Sequence, residues 1–218
     1  MFYKKKIVII GAGGHAVSVA NVAISAGYKV SYFIDINKKE KKLLGVEILE
    51  GLSELKNKSE FYYHIGIGDN ALRWRLYEEV KKINPELKFP SLIHKSSVIS
   101  YLSKIGIGSV IMPNAIVGPN SCVGDFCILN NNSSLDHDSK MFDFSSLAPS
   151  SVTGGRVTIG HRSAVSIGSV VKQGIKIDSD TILGANSYLN QNLPNNCIAY
   201  GSPAKVIRQR KIGEEYLK

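Results

Sequence analysis

The triplet Asp136-His137-Asp138 carries the strongest chemical signal in the chain. A carboxylate beside an imidazole can hold one ring nitrogen, fix the tautomer and raise the basicity of the other, which makes a general base usable near neutral pH. Either Asp138 or Asp136 can play the orienting part, and the bland reading is a solvated histidine with incidental acids. Of the other histidines, His15 lies in a glycine turn, where it either contacts a ligand or opens a helix. His94 reads as a local packing or hydrogen-bonding residue, and His64 and His161 carry no assigned role. Cys122, Cys127 and Cys197 are odd in number and lack C-x-x-C spacing, which argues against a disulfide framework or a structural zinc site. No Cys/His/Asp cluster has ligand spacing, so no metal is expected.

What must position that triplet is a repeat. Every sixth residue from Ile93 to Leu189 is aliphatic except Thr153. Four places after each of these slots stands a small residue, such as Ser97, Ser121, Ser139 or Ser163, with Val157, Ile175 and Leu193 as the exceptions. A period of six is neither the 3.6 of a helix nor a plain alternation, but it suits a short strand and a turn on each flat side of a prism. The chain is therefore predicted to form a parallel β-helix, its aliphatic column filling a narrow interior and its small column turning inward near the corners. Gly106, Gly118, Gly124, Gly160 and Gly184, each directly after a slot, are predicted turn residues. The residues just after Leu135 should face outward, which puts His137 on a coil surface. Thr153-Gly154-Gly155-Arg156 is the irregular hexad and opens the coil to close backbone approach.

Ahead of the repeats, Lys6–Ile10 reads as a buried strand that runs into Gly11-Ala-Gly-Gly-His-Ala16 and a helix from Val17 to Ala26. The spacing matches G-x-G-x-x-G/A, whose glycines let backbone amides approach a phosphate at a helix N-terminus. A second strand, Lys29–Ile34, ends on Asp35, where an acid commonly meets a ribose. A third, Phe61–Ile67, leads through Gly68-Asp69-Asn70 into a helix over Ala71–Lys82. This is half of a doubly wound domain, suited to a mononucleotide-sized ligand rather than a dinucleotide; the bland reading is a tight turn that binds nothing. The organisation expected is residues 1–92 as a Rossmann-like α/β domain, 93–193 as the β-helix and 194–218 as a tail capping it.

The formal charge of +9 on 218 residues is spread without a basic stripe or a base-stacking motif, so small anionic ligands explain it as well as nucleic acid does, and no nucleic-acid partner is expected. The apolar run Ile7–Ile10 is too short for a signal core or a membrane span, which suggests a soluble cytoplasmic protein.

The set Gly11-Ala-Gly-Gly-His15, Ile67-Gly-Asp-Asn70, Leu92-Ile-His94, Asp136-His-Asp138 and Gly201-Ser-Pro-Ala-Lys205, in this order, resembles the PglD/NeuD family of sugar acetyltransferases. The resemblance covers nearly the whole chain. It implies a left hand for the hexapeptide β-helix, a homotrimer, and transfer of acetyl from acetyl-CoA to the 4-amino group of a nucleotide-linked 4-amino-4,6-dideoxy sugar for bacterial surface glycans. The other branch of the family acetylates a sialic-acid hydroxyl, and a non-catalytic scaffold that binds only nucleotide is a third reading. The resemblance makes His137 the general base, with Asp138 standing where the family usually has glutamate. It implies acceptor contacts at Gly13, Gly14, His15, Asp35, Ile36 and Gly68, and acetyl-CoA contacts at Ser146, Gly155, Ile167 and Ala185. Relatives have glycine at Ala185, and at Ser146 some carry a second histidine. Arg156, Arg162 and Lys205 are either partners for CoA phosphates or solvated surface charges.

Overall fold

The computed structural model describes residues 5–35, 37, 40–57 and 60–217, the side chains of 56 and 57 excepted. Ile36, expected to touch the acceptor, lies outside the described residues. Lys5–Ile10 (β1) feeds the glycine turn and the helix Gly14–Ser25 (α1), followed by Tyr28–Ile34 (β2), Lys42–Leu43 (β3), Val46–Leu49 (β4), Tyr62–Ile65 (β5) and Asn70–Ile83 (α2). The sheet order is β3-β4-β2-β1-β5, parallel except for the β3–β4 hairpin. That hairpin was not foreseen. Its turn, Leu44-Gly45, has φ of 52° and 76°, a conformation for which a leucine gives no sequence signal. The strand expected to reach Ile67 stops at Ile65 because Gly66 lies against α1, where a Cβ would meet Ala16 and Ile9 at 2.8 Å.

From Leu92–Ile93 to Tyr188–Leu189, two-residue strands recur every six residues, and those up to Val170–Val171 each pair in parallel with the strand 18 residues on. Three hexads thus complete one coil, and the strands stack into three flat sheets. The aliphatic column is the interior: Val117, Leu129, Leu135, Leu147, Ile159, Val165 and Leu183 are fully buried. Each such side chain contributes about 1.5 to 3 kcal/mol of transfer free energy. The small column does more than avoid collision. Ser121 Oγ donates to Asp136 O at 2.7 Å and accepts from Ser139 N at 3.0 Å, and Ser163 bonds Asp178 O and Thr181 N in the same way. These hydroxyls stitch one coil to the next. The glycines after the slots also have another reason than expected. None of Gly106, Gly118, Gly124, Gly160 and Gly184 has a positive φ; a Cβ at Gly118 would lie 2.7 Å from His137 N, so close coil approach excludes one. The left-handed turn position falls two residues later, on Asn120, Asp138, Arg156 and Arg162 among others.

Cys197–Gly201 extends the largest sheet beside Ile182–Leu183, and Ala204–Gln209 turns back antiparallel to it. Residues 210–217 then run to the N-terminal domain, where Tyr216 N and Leu217 N donate to Asp69 Oδ2. The α/β domain sits on the outer face of that largest sheet: α1 shares a core with Leu92, Val110, Met112 and Ile128. Tyr77 of α2 packs on Phe126 and Phe144, whose rings stack 5.2 Å apart. Among the described residues no helix is long and apolar enough to cross a membrane.

Candidate active site

The turn at 136–138 is held on every side. Asp136 N donates to Thr153 Oγ1 at 3.1 Å, and Asp136 O accepts from Ser121 Oγ. His137 N donates to Asp136 Oδ1 at 2.7 Å, His137 O accepts from Arg156 N at 2.8 Å, and Asp138 N bonds Pro119 O. The ring is positioned by Asp138, whose Oδ2 lies 2.8 Å from His137 Nδ1 while its Oδ1 accepts from Asn120 Nδ2 at 3.3 Å. Those bonds, from the imidazole first and the amide second, hold the Asp138 carboxyl below the usual carboxylate range. Of the two flanking acids, then, Asp138 meets the ring and Asp136 serves the backbone. A carboxylate at Nδ1 makes that nitrogen the donor, so Nε2 keeps its lone pair. Nε2 faces Gly155, where a Cβ would stand 2.3 Å away; only glycine leaves room for the ring in this pose. The imidazole is 44% exposed and open to a substrate.

A second group of residues meets elsewhere. His15, Gly68, Ser146, Ile167 and Ala185 line one cleft of about 1130 Å³ between the α/β domain, the coils and the tail, together with Tyr216 and Leu217. His137 and Gly155 lie outside it, so Gly155 sits apart from the three other residues expected to contact acetyl-CoA. Burial first, then the Arg73 charge, pushes the His15 imidazole down to about 3, and its Nε2 has no protein partner. His15 is a neutral ring at the cleft wall. Gly13 and Gly14, the N-cap and first residue of α1, are exposed with open space around them. Asp35 lines a smaller hollow of about 280 Å³ with Gly11, Asn37, Ile67 and Arg75. Its two carboxylate oxygens accept from Ala12 N and Asn37 N, both at 2.9 Å, so Asp35 shapes the glycine loop itself.

Three contributors were given no role from the sequence. Arg73, 1% exposed, spends its five N–H groups on the carbonyls of Phe126, Ile67, Gly68 and Phe144 and on Asn70 Oδ1. It locks the Gly68 loop to two coil turns. Asn70, fully buried, donates to Ser146 Oγ at 3.0 Å, and Tyr216 Oη lies 3.1 Å from that same hydroxyl. A polar run at a helix start hints at Asn70, but nothing marks Arg73 or Tyr216. Arg162, a candidate for CoA phosphate, forms a two-bond pair with Asp180 and lies over the Trp74 ring. Among the described residues no group of three or more His, Cys, Asp or Glu side chains is placed to hold a metal.

Residues 6–80 match the model of the PglD N-terminal domain. The chain is 27% identical over 215 residues to a GDP-perosamine N-acetyltransferase of Escherichia coli O157:H7, covering 92% of this chain and 96% of that one. Among solved structures, a histidine-to-asparagine mutant of perosamine N-acetyltransferase from Caulobacter crescentus, in complex with CoA and GDP-perosamine, superposes with a TM-score of 0.89 at 30% identity, covering 94% of this chain and 98% of that one. The acetyltransferase domain of PglB from Neisseria gonorrhoeae FA1090, in complex with acetyl coenzyme A, gives 0.87 at 28%, over 93% and 99%. The likeness runs through both the α/β domain and the coils, and the chain belongs to the PglD/NeuD family of sugar acetyltransferases.

Proposed function

We propose that this protein transfers the acetyl group of acetyl-CoA to the 4-amino group of a nucleotide-linked 4-amino-4,6-dideoxy sugar, with His137 as the general base. The observation that carries this reading is the His137–Asp138 pair at 2.8 Å with Nε2 open beside Gly155. The sugar amine attacks the thioester carbonyl, His137 Nε2 takes the proton the nitrogen sheds, the C–S bond breaks once the C–N bond has formed, and the departing CoA sulfur takes that proton from the imidazolium to leave as a thiol. Asp138 stabilises the imidazolium formed on the way. No covalent enzyme intermediate is needed. The GDP-perosamine enzymes among the relatives favour guanine as the base.

The working unit in this reading is a homotrimer. The outer face of the six-stranded sheet carries Val98, Ile116, Val170 and Tyr188, between 38% and 55% exposed, a column of apolar side chains that a second copy would cover. One edge of that face ends in the 136–138 and 154–156 turns, the other in the turns carrying Ile167 and Ala185. Cyclic packing joins the first edge of one copy to the second edge of the next, which brings His137 to a neighbour's cleft. The acceptor contacts expected at Gly13, Gly14, His15, Asp35 and Gly68, and the acetyl-CoA contacts at Ser146, Gly155, Ile167 and Ala185, belong to this proposal.

The test is thiol release from acetyl-CoA in the presence of GDP-, UDP- and dTDP-linked 4-amino sugars, with free sialic acid alongside. Turnover with an amino-sugar nucleotide is expected. Turnover with sialic acid alone would replace the reading by O-acetylation, and no CoA binding by calorimetry would leave only a scaffold.

A further inference from the structure

Thr153 is the polar break in an otherwise aliphatic interior column, and it is 6% exposed. Elsewhere in the stack the residue after a slot donates its N–H to the backbone carbonyl of the slot 17 residues on: Gly118 N to Leu135 O, Gly124 N to Met141 O, Gly154 N to Val171 O and Gly160 N to Ile177 O, all at 2.8 Å. At the next such position along this face the ladder is altered. Asp136 N donates to the Thr153 side-chain hydroxyl, and the pairing between the two strands is confined to Ser134 and Val152, where neighbouring strands on this sheet pair at two positions. The residue whose amide is redirected immediately precedes His137 and holds the His137 N–H through its own carboxylate.

We propose that Thr153 is a positioning residue for His137: its hydroxyl takes the Asp136 amide out of the regular ladder and so sets the backbone from which the imidazole reaches Asp138 and Gly155. This rests on the proposed role of His137 as base. A valine at this slot would satisfy the column and let Asp136 N–H return to the backbone carbonyl, as in the other coils, moving the turn by a fraction of the 1 Å that suffices to cost a reacting group about 10²-fold. The hydroxyl therefore trades regularity of the stack for placement of the ring.

Thr153→Val is expected to keep or raise the melting temperature while kcat falls at least about tenfold, with KM for both substrates within about threefold of wild type. Thr153→Ser, which restores the hydroxyl, should recover kcat to within about threefold. Long-range proton–nitrogen correlation spectra read the ring directly: wild type and Thr153→Ser should hold His137 as the Nδ1–H tautomer, and Thr153→Val should mix the two tautomers. Thr153→Ala deletes the same hydroxyl without a branched side chain and replaces the valine variant if that one does not fold. A valine variant with the wild-type tautomer and wild-type kcat overturns the proposal, as does a serine variant as impaired as the valine one. A loss confined to melting temperature, with activity per folded molecule intact, assigns Thr153 to stability alone and overturns it too. The spectra need no substrate, so they decide the matter even if wild type acetylates no amino sugar, a result that would remove the function reading instead.

Discussion

At the 136–138 turn the backbone of His137 is bonded through its N–H and its C=O while the ring's Nε2 is left without a protein partner; at the seam between α2 and the coils, Arg73 uses all five N–H groups and Asn70 is bonded through both ends of its amide. The first cluster is half exposed and the second is buried. A buried polar group left unpaired costs about 1 to 3 kcal/mol, so removing any one partner from the Arg73–Asn70 set is costly. An exposed one costs little and can wait for a substrate. Full satisfaction marks Arg73 and Asn70, which tie α2 to the coils, and an exposed free nitrogen marks the imidazole proposed to react.

His137→Ala should separate the two most sharply. Turnover is expected to fall by about 10² to 10⁴-fold, while melting temperature and CoA binding stay near wild type because the ring supports nothing beneath it. Steady-state rates beside calorimetry check this, and retained turnover would take His137 out of the mechanism. Arg73→Leu should do the reverse. It strands four carbonyls and the Asn70 amide oxygen, and a loss of about 3 to 5 kcal/mol in denaturant unfolding is expected, the size seen when one member of a buried polar set is removed. A variant as stable as wild type would mean that water replaces the guanidinium and that the seam is not closed.

The seam also sets an acid limit. His64, on β5 and 1% exposed, faces the coil with no hydrogen-bond partner at either ring nitrogen; burial pushes it down to about 4 against weaker opposing help from the backbone of Ile65, Ser109 and Gly108. Because the unfolded chain binds this proton more readily, the stability tied to neutral His64 is complete above about pH 6.5 and drains away as pH falls through about 4. The span corresponds to roughly 3 kcal/mol. As pH falls from 7 to 4, the unfolding free energy of wild type should drop relative to that of His64→Leu, and parallel curves would show that His64 does not titrate with folding.

The same contrast explains what could be read from the sequence. The coil was legible because a prism needs one bulky side chain per side, and His137 because its flanking acids are adjacent in the chain. Thr153 was visible as a break, yet its reason was hidden, since the amide it captures is 17 residues away. Arg73 was illegible: within Ala71–Lys82 it falls where an amphipathic helix shows charge to water, and only the approach of Phe126 and Phe144 carbonyls makes it interior. The glycines after the slots were found but misassigned to turns, because spacing reveals a need for glycine without saying whether conformation or room creates it.

The smallest effect is expected where the two designs meet, at Ser146 on the cleft wall. Its hydroxyl oxygen accepts from Asn70 Nδ2 at 3.0 Å and also faces Tyr216 Oη at 3.1 Å. Burial raises the Tyr216 phenol above its ordinary range, so it stays a neutral hydroxyl at working pH. Tyr216→Phe removes one partner but leaves the Asn70 bond, and the tail remains tied to Asp69 by two backbone amides. A loss of only about 0.5 to 1.5 kcal/mol in unfolding is therefore expected. The freed Ser146 hydroxyl then turns toward the cleft, so any kinetic change should fall on KM for acetyl-CoA and spare kcat. A large drop in kcat would mean that the tail, rather than lining the cleft, takes part in placing the reacting groups.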